Sequence, residues 1–461
     1  MPRVLYIGFG MEPVIRGGAV TYQHALAHAL QRRGWDVTFF LAVPTYTLRH
    51  RIALRSWRRD GIRYVEIVNA PETYSPSVQS CNPLLDALTA QVLEQERPDI
   101  VHIHELQFHP ASIIDVIART GIPSVKTMHN YYDLCPQRDL MFRGVARCTD
   151  YQEGQRCVAC RAGVLDPRHG VLEWTLNALP HFVSLPLRLA YRRLKPRKAD
   201  NPGKAHATGG EAGTASGCAL YAAGEYQSRR RRFVDQLNRL SVVHCSAHAP
   251  AAIFARHGVA AERIRVLPLA VEAQAQILAK PLHGGTLPVV FGYIGGCYAH
   301  KGFHVLLDAF SRLNRDKARL VVWGHDPHSH PPAPPGVTFR GIYRPTELNR
   351  VLGEMDVCVV PSIWDEVFGI IGIECRTARV PVIGSRIGGI PDWLQDEVTG
   401  YLAEPDNAGD LAAKMARFVE QPARIAAMQK QITPWLTFDE HVTAMADLYQ
   451  QLLAVRRAAA V

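Results

Sequence analysis

The chain is expected to fold as an α/β protein of two similarly built units facing across a cleft, and three observations carry that expectation. Short apolar, β-branched runs alternate with stretches of helical period along most of the sequence. A strand, a glycine loop and a helix follow one another twice, from Val4 through Gly17-Gly18 and again from Val289 through Gly295-Gly296. At 461 residues the chain also exceeds what one ordinary hydrophobic core organises.

Val4-Leu5-Tyr6-Ile7 reads as a buried first strand, and Ala19 to Arg33 as a helix carrying Val20, Leu26, Ala27 and Leu30 on one face and stopping at Gly34. Val37–Leu41, Tyr64–Val68, Ile100–His104 and Ser124–Met128 are further strands, with helical stretches at Pro83–Glu96 and Ala111–Thr120. Asn201 to Gly217 holds almost no large apolar residue and reads as a flexible surface loop. Order returns with strands at Val242–Ser246 and Ile264–Pro268 around a helix near Ala249–His257, and a linker rich in Pro and Gly covers Ala279 to Leu287. The second unit then runs from a strand at Val289–Ile294 through a helix at Phe303–Leu313 and a strand at Arg319–Trp323. Val337–Gly341, Glu347–Gly353, Val357–Val360 and Val380–Ile383 continue it.

Apolar residues at 47% and charged residues at 20% suit a soluble globular protein. The formal charge of +10 asks for an anionic partner: nucleotide, acidic glycan, nucleic acid or anionic lipid. The apolar run at the start is too short for a signal peptide, and no uncharged stretch approaches the roughly 20 residues that span a bilayer. A cytoplasmic protein is expected, with its ten cysteines as reduced thiols or metal ligands.

The most informative segment is Asp365-Glu366-Val367-Phe368-Gly369-Ile370-Ile371-Gly372-Ile373-Glu374-Cys375. It follows a strand-like run and reads as a loop entering a short helix from about Ile370 to Arg379. Gly369 lets the backbone approach a ligand closely. The helix start presents free amides and a positive dipole end, which favour phosphate. Glu366 at the mouth and Glu374 about a turn inside can accept hydrogen bonds from hydroxyls. Carboxylates for hydroxyls beside amides for phosphate describe a site for a sugar attached to a nucleotide.

These residues, with Lys301-Gly302 before a helix, Gly388-Gly389-Ile390-Pro391 and Thr399-Gly400-Tyr401-Leu402, resemble the retaining glycosyltransferases of the GT-B fold, specifically glycosyltransferase family four. The resemblance spans nearly the whole chain and is strongest from Gly292 to Leu402. It implies two Rossmann-like domains, an acceptor domain at 1–272 and a nucleotide-sugar donor domain at 273–435, with a helix at 436–461 crossing back to the first. It implies that Glu374 binds ribose hydroxyls, that Glu366 contacts the transferred sugar, and that the amides of Phe368, Gly369 and Ile370 face sugar or pyrophosphate. Lys301 would neutralise the diphosphate, Gly17 and Gly18 would line the cleft opposite, and His129 would touch the sugar near the reacting carbon. His102 and His104 alternate on one strand, so one of them can face the cleft. The implied reaction is transfer with retained anomeric configuration to a glycan or lipid-linked acceptor, as in bacterial-type polysaccharide or glycoconjugate synthesis, with no catalytic metal. Two departures stand out: Gly296 replaces a usual arginine, with His300 nearby, and Leu269-Ala270-Val271 replaces a polar turn.

Cys135, Cys148, Cys157 and Cys160 form a second constellation, an insert at about 133–165 whose count matches a structural tetrathiolate zinc site. Only Cys157 and Cys160 have the usual spacing, so four unlinked thiols and an iron–sulfur cluster are the other readings. The basic stretch Leu187 to Lys198, with Arg229 to Arg232, suits a peripheral contact with an anionic membrane surface or a plain solvated helix. Rival functions are a nucleotide-sugar-binding protein with lost or weakened transfer, an epimerase on the same scaffold, and a zinc-containing nucleic-acid binder. Nucleic acid is not the expected partner.

Overall fold

A computed structural model of the chain describes residues 1–10, 17–45, 52–70, 75–162, 187, 220–325 and 333–459. The expected loop at 200–218, the end of the cysteine insert past Ala162 and the basic stretch beyond Leu187 lie outside the described residues.

The first sheet is built from β1 (Arg3–Gly8), β2 (Asp36–Thr45), β3 (Ala53–Arg59), β4 (Ile62–Val68), β5 (Ile100–Ile103) and β6 (Ser124–Thr127). A small hairpin of β7 (Met141–Phe142) and β8 (Ala146–Arg147) stands apart, and β9 (Val242–Cys245) and β10 (Ile264–Val266) complete the sheet in the order β10-β9-β6-β5-β1-β2-β4-β3. Every pairing is parallel except β3 with β4. Parallel strands are covered on both faces and need apolar runs without alternation; Leu5, Tyr6, Ile7, Phe39, Phe40, Val101 and Ile103 are accordingly buried.

The second sheet runs β13 (Val337–Gly341), β12 (Ala318–Trp323), β11 (Val289–Ile294), β14 (Val357–Val360), β15 (Val382–Ser385), β16 (Gly400–Ala403), all parallel. The strand order reverses between β11 and β14. In such a sheet the loops leaving those two strands diverge, and the crevice at their carboxyl ends is where ligands bind. Lys301 sits on the loop after β11 and Glu366 on the loop after β14, so the topology itself brings these two distant residues together.

The long Phe438–Ala459 helix packs on the first sheet. The Tyr449 ring meets Trp35 edge-on at 5.4 Å, and its hydroxyl bonds to His102. From there a buried relay runs through the sheet. His244 Nε2 faces the Leu267 carbonyl at 2.8 Å, an acceptor only, so it carries the proton. His244 Nδ1 then accepts from Thr127 Oγ1 at 2.9 Å, and Thr127 accepts from His102 Nε2 at 2.7 Å. His102 Nδ1 is left to accept from Tyr449. The chain of donors closes only if both histidines are neutral, and burial does hold both below their ordinary range.

Candidate active site

Gly369 adopts φ 85°, a left-handed conformation that strains other residues, and it turns the loop after β14 into the Ile370–Thr377 helix. Glu366, three residues earlier, is 8% exposed. Lys301 Nζ donates to both its carboxylate oxygens at 3.0 and 2.9 Å, and Ser362 Oγ and Trp364 Nε1 add bonds of 3.0 and 2.9 Å. Burial alone would raise the Glu366 pKa, but the Lys301 charge, its hydrogen bond and those of Ser362 and Trp364 reverse this and hold it below 4.5. The separate tasks expected for Lys301 and Glu366 therefore meet in one ion pair. A Cβ on Gly388 would lie 2.2 Å from the Glu366 carbonyl oxygen, so this glycine lets the following loop close onto the glutamate's backbone, where the Gly389 amide donates at 2.7 Å. That is the packing reason for the Gly388-Gly389 pair.

Glu374, inside the helix, is in the opposite electrostatic state. It is 8% exposed, one carboxylate oxygen is buried without a hydrogen-bond partner, and burial pushes its pKa up to about 7. It lines a cavity of about 770 Å³ between the two sheets, walled by Tyr22 from the first half and by Tyr343 and Ile370 from the second. Gly18, at the start of the Gly18–Arg32 helix, also lines it and comes so near the facing helix that a Cβ there would stand 3.0 Å from Ile370 Cδ1. Gly17 precedes it with open space around its Cα. Glu366 does not line this cavity; it flanks the helix mouth on the Lys301 side.

His129 follows β6, with Nε2 3.3 Å from His104 Nδ1 and its ring 5.3 Å from that of Tyr22, itself a wall of the cavity. Burial, then the Lys126 charge, lowers its pKa to about 3, so it is a neutral donor and acceptor. His104 is fully buried beside it, and its Nε2 has no partner.

Four residues escape the sequence reading. Ser362 and Trp364 carry Glu366 directly and stand just ahead of its segment, so their position was a usable signal. Tyr131 meets Trp364 edge-on at 6.4 Å, and its buried hydroxyl has no partner. Arg147, at the end of β8, reaches across to Asp365 with bonds of 3.1 and 3.3 Å; nothing in the sequence ties it to a residue more than 200 positions away.

Residues 16–166 match the family described as Glycosyltransferase Family 4, residues 288–421 match Glycosyl transferases group 1, and between them they cover more than half of the chain. The chain belongs to glycosyltransferase family four. A glycogen synthase of Mycobacterium tuberculosis is 27% identical over 99% of this glycosyltransferase and 95% of its own length. The 2-deoxystreptamine glucosyltransferase of Streptomyces kanamyceticus is 28% identical over 42% of the chain, a match spanning about half of that enzyme (53%). Among solved structures, sucrose-phosphate synthase from Thermosynechococcus elongatus superposes with TM-score 0.61 at 17% identity, covering 99% of this chain and 100% of that one. Anabaena HepE in complex with UDP-glucose gives 0.54 at 13% identity, covering 99% of each. These likenesses establish the GT-B fold.

One expectation for this glycosyltransferase, a metal held by the insert, is not shown, and another, a membrane contact through Arg229 and Arg230, is corrected. The four insert cysteines lie within electrostatic reach of one another, yet among the described residues no group of three or more His, Cys, Asp or Glu is gathered so as to hold a metal ion. Cys160 Sγ instead accepts from Gln137 Nε2 at 2.6 Å and from the Arg143 amide at 3.1 Å, and Cys148 faces the Asp150 carbonyl at 3.6 Å. Burial pushes the Cys157 thiol up to about 12. Arg229 and Arg230 are also unavailable to a membrane surface, being 1% and 7% exposed and turned inward onto Gln79 and the carbonyls of Tyr132 and Leu134. At Gly296 the space of the missing side chain is filled: a Cβ there would lie 2.3 Å from the Tyr298 ring, which stacks on His300. Among the described residues no helix is long and apolar enough to cross a membrane.

Proposed function

We propose that the chain transfers a sugar from a nucleoside diphosphate sugar to a glycan or lipid-linked acceptor with retained configuration. The observation that carries this reading is Glu374, a buried carboxyl with one unpartnered oxygen, in the wall of a cavity between two sheets. A buried acceptor without a donor is a rare and costly feature in a folded protein. A ribose diol supplies the missing donors, and accepting them returns Glu374 to the ionised form.

The diphosphate then falls at the amide end of the Ile370–Thr377 helix, within reach of the Phe368, Gly369 and Ile370 amides, with Gly17 and Gly18 opposite. Lys301 exchanges Glu366 for the diphosphate, and the freed carboxylate accepts hydroxyls of the sugar. Neutral His129 hydrogen-bonds the sugar near its anomeric carbon. As the bond from that carbon to the phosphate oxygen breaks, the acceptor oxygen adds from the same face and the departing phosphate takes the acceptor proton. Lys301 and the helix amides stabilise the charge that develops on the leaving nucleotide. In this reading residues 1–272 hold the acceptor, 273–435 hold the donor, and synthesis of a polysaccharide or glycoconjugate is the setting.

The UDP-glucose complex of HepE makes UDP-glucose the first donor to try. Calorimetric titration with UDP, ADP and GDP tests the site, and NMR of the product from a labelled donor reads the anomeric configuration. No affinity for any nucleoside diphosphate, or an inverted product, would overturn the proposal.

A further inference from the structure

A second cavity, of about 280 Å³, shares no wall with the first. Gln107 and Phe108 from the loop after β5, Gln79 from the Pro76–Ser80 helix, Tyr132 and Arg138 from the segment after His129, and Arg161 form it. Two guanidinium groups face it and no carboxylate does. Arg138 Nη1 donates to Gln107 Oε1 at 3.0 Å, and neither Arg138 nor Arg161 makes an ion pair with a described residue. Glu105 and Asp139 lie within electrostatic reach of Arg138, but their oxygens are taken by Asn130 Nδ2 and by backbone amides.

Behind the wall a third guanidinium waits. Arg229 is 1% exposed and lies over the Tyr132 and Phe233 rings, 4.7 and 4.2 Å from their centroids. Its Nε donates to Gln79 Oε1 at 2.5 Å and its Nη2 to the Tyr132 carbonyl at 2.8 Å, so it fixes two walls of the cavity. Its Nη1 is buried with no partner, and no described carboxylate stands at ion-pair distance from it, although Glu105 and Asp133 lie near the Tyr132 that it covers. Buried positive charge without a counter-charge is strongly unfavourable. Phe108 at φ 71° and Arg138 at φ 75° both sit in the left-handed region that bulky residues avoid, and strain of this kind collects at ligand sites.

We propose that this cavity binds an anionic group, phosphate or carboxylate, carried by the acceptor; the assignment rests on the glycosyltransferase reading above. The volume is just under the roughly 300–1,000 Å³ of whole-ligand pockets, which fits one charged headgroup and not an oligosaccharide. The placement fits too: Tyr132 is three residues past His129, and its neighbour Tyr131 touches Trp364 of the donor loop. Arg138 and Arg161 bind the anion directly, while Arg229 acts as a positioning residue.

The test titrates the full chain with inorganic phosphate and with glucuronate, with and without saturating UDP to fill the diphosphate site, against a chloride control. One or both anions bind the native chain; Arg138→Gln with Arg161→Gln weakens that binding at least about tenfold, as loss of charge-assisted bonds requires, and Arg138→Lys with Arg161→Lys recovers much of it. Preference for phosphate identifies a phosphorylated acceptor and preference for glucuronate a uronic acid. Binding of neither anion beyond chloride, or equal binding by the glutamine variant, overturns the proposal. UDP binding in the same samples separates the two readings: UDP bound with no anion site defeats this inference alone, and UDP unbound defeats the donor assignment whatever the anions do.

Discussion

Replacing Glu374 with glutamine should make the protein more stable and bind nucleotide less well, and the two effects come from one cause. The folded carboxyl has a pKa of about 7 against an ordinary 4.5, because burial withholds water from the charged form. A raised pKa means the folded state holds the proton more tightly than the unfolded chain. The contribution to stability is full below pH 4.5 and is lost as pH rises through 7. At about 1.36 kcal/mol per pH unit the gap is worth roughly 3 kcal/mol at pH 8 and about 1 kcal/mol at pH 5. Glutamine has the same shape and no charge to bury, so Glu374→Gln gains those amounts relative to the native chain. For a unit the size of the second domain this is a rise of very roughly 5–10 °C in melting temperature at pH 8 and little at pH 5. UDP affinity should move the other way, falling about 10- to 100-fold as hydrogen bonds to a charged acceptor are lost. Native UDP binding near pH 7 should also release a proton, visible as a dependence of the calorimetric heat on the buffer. Equal melting shifts at both pH values would refute the buried charge, and unchanged UDP affinity would refute its role toward ribose.

Lys301→Met should reduce transfer by about 100-fold or more, the scale of losing one preorganised charge-stabilising group. It should also leave Glu366 buried and unpaired, so the variant melts lower at neutral than at acid pH, and adding Glu366→Gln restores stability without restoring transfer; full activity in Lys301→Met would refute the pairing's role. Burial holds His441 down to about 3 in the fold against 6.5 in an ordinary histidine, so its contribution is present above pH 6.5 and is lost as pH falls through 3. His441→Phe should flatten the loss of stability between pH 6.5 and 4 by close to one proton, and an identical slope in acid unfolding would exclude it. Among the described cysteines, iodoacetamide at pH 8 should modify exposed Cys81 first and Cys157 and Cys160 slowly. A chelator should not change those rates, whereas acceleration by it, with stoichiometric zinc on elemental analysis, would show that the insert does hold metal.

Both sheets were legible because parallel strands buried on two faces leave an unbroken apolar signature, as in Val357-Cys358-Val359-Val360. β3 was not, because it is an edge strand of Ala-Leu-Arg-Ser-Trp-Arg-Arg with neither an apolar run nor clean alternation. Its hairpin signal was nevertheless present: Asp60-Gly61 both take positive φ, 49° and 79°, the turn that dipeptide favours. Within the candidate site, the glutamates stood out because carboxylates beside a helix mouth are chemically unusual. The relations among side chains were not legible, since a sequence shows that Lys301 and Glu366 are present but not that each satisfies the other.

That pairing gives the cleft a consistent physical logic. Two buried glutamates on one short segment are kept in different protonation states, Glu366 ionised by a lysine and Glu374 half-neutral for want of any partner. The first state occupies the lysine with a carboxylate, and the second leaves a buried oxygen unbonded. On the proposed reading, a single molecule carrying a diol, a diphosphate and a second set of hydroxyls would resolve both at once, the diol answering Glu374 and the diphosphate drawing Lys301 off Glu366. The cross-cleft contact from Arg147 to Asp365, beside the same glutamate, ties the insert of the first half to this exchange. If the proposed donor site is right, Asp365→Asn should alter acceptor affinity as well as donor affinity, and a change confined to the donor side would refute a link through this contact.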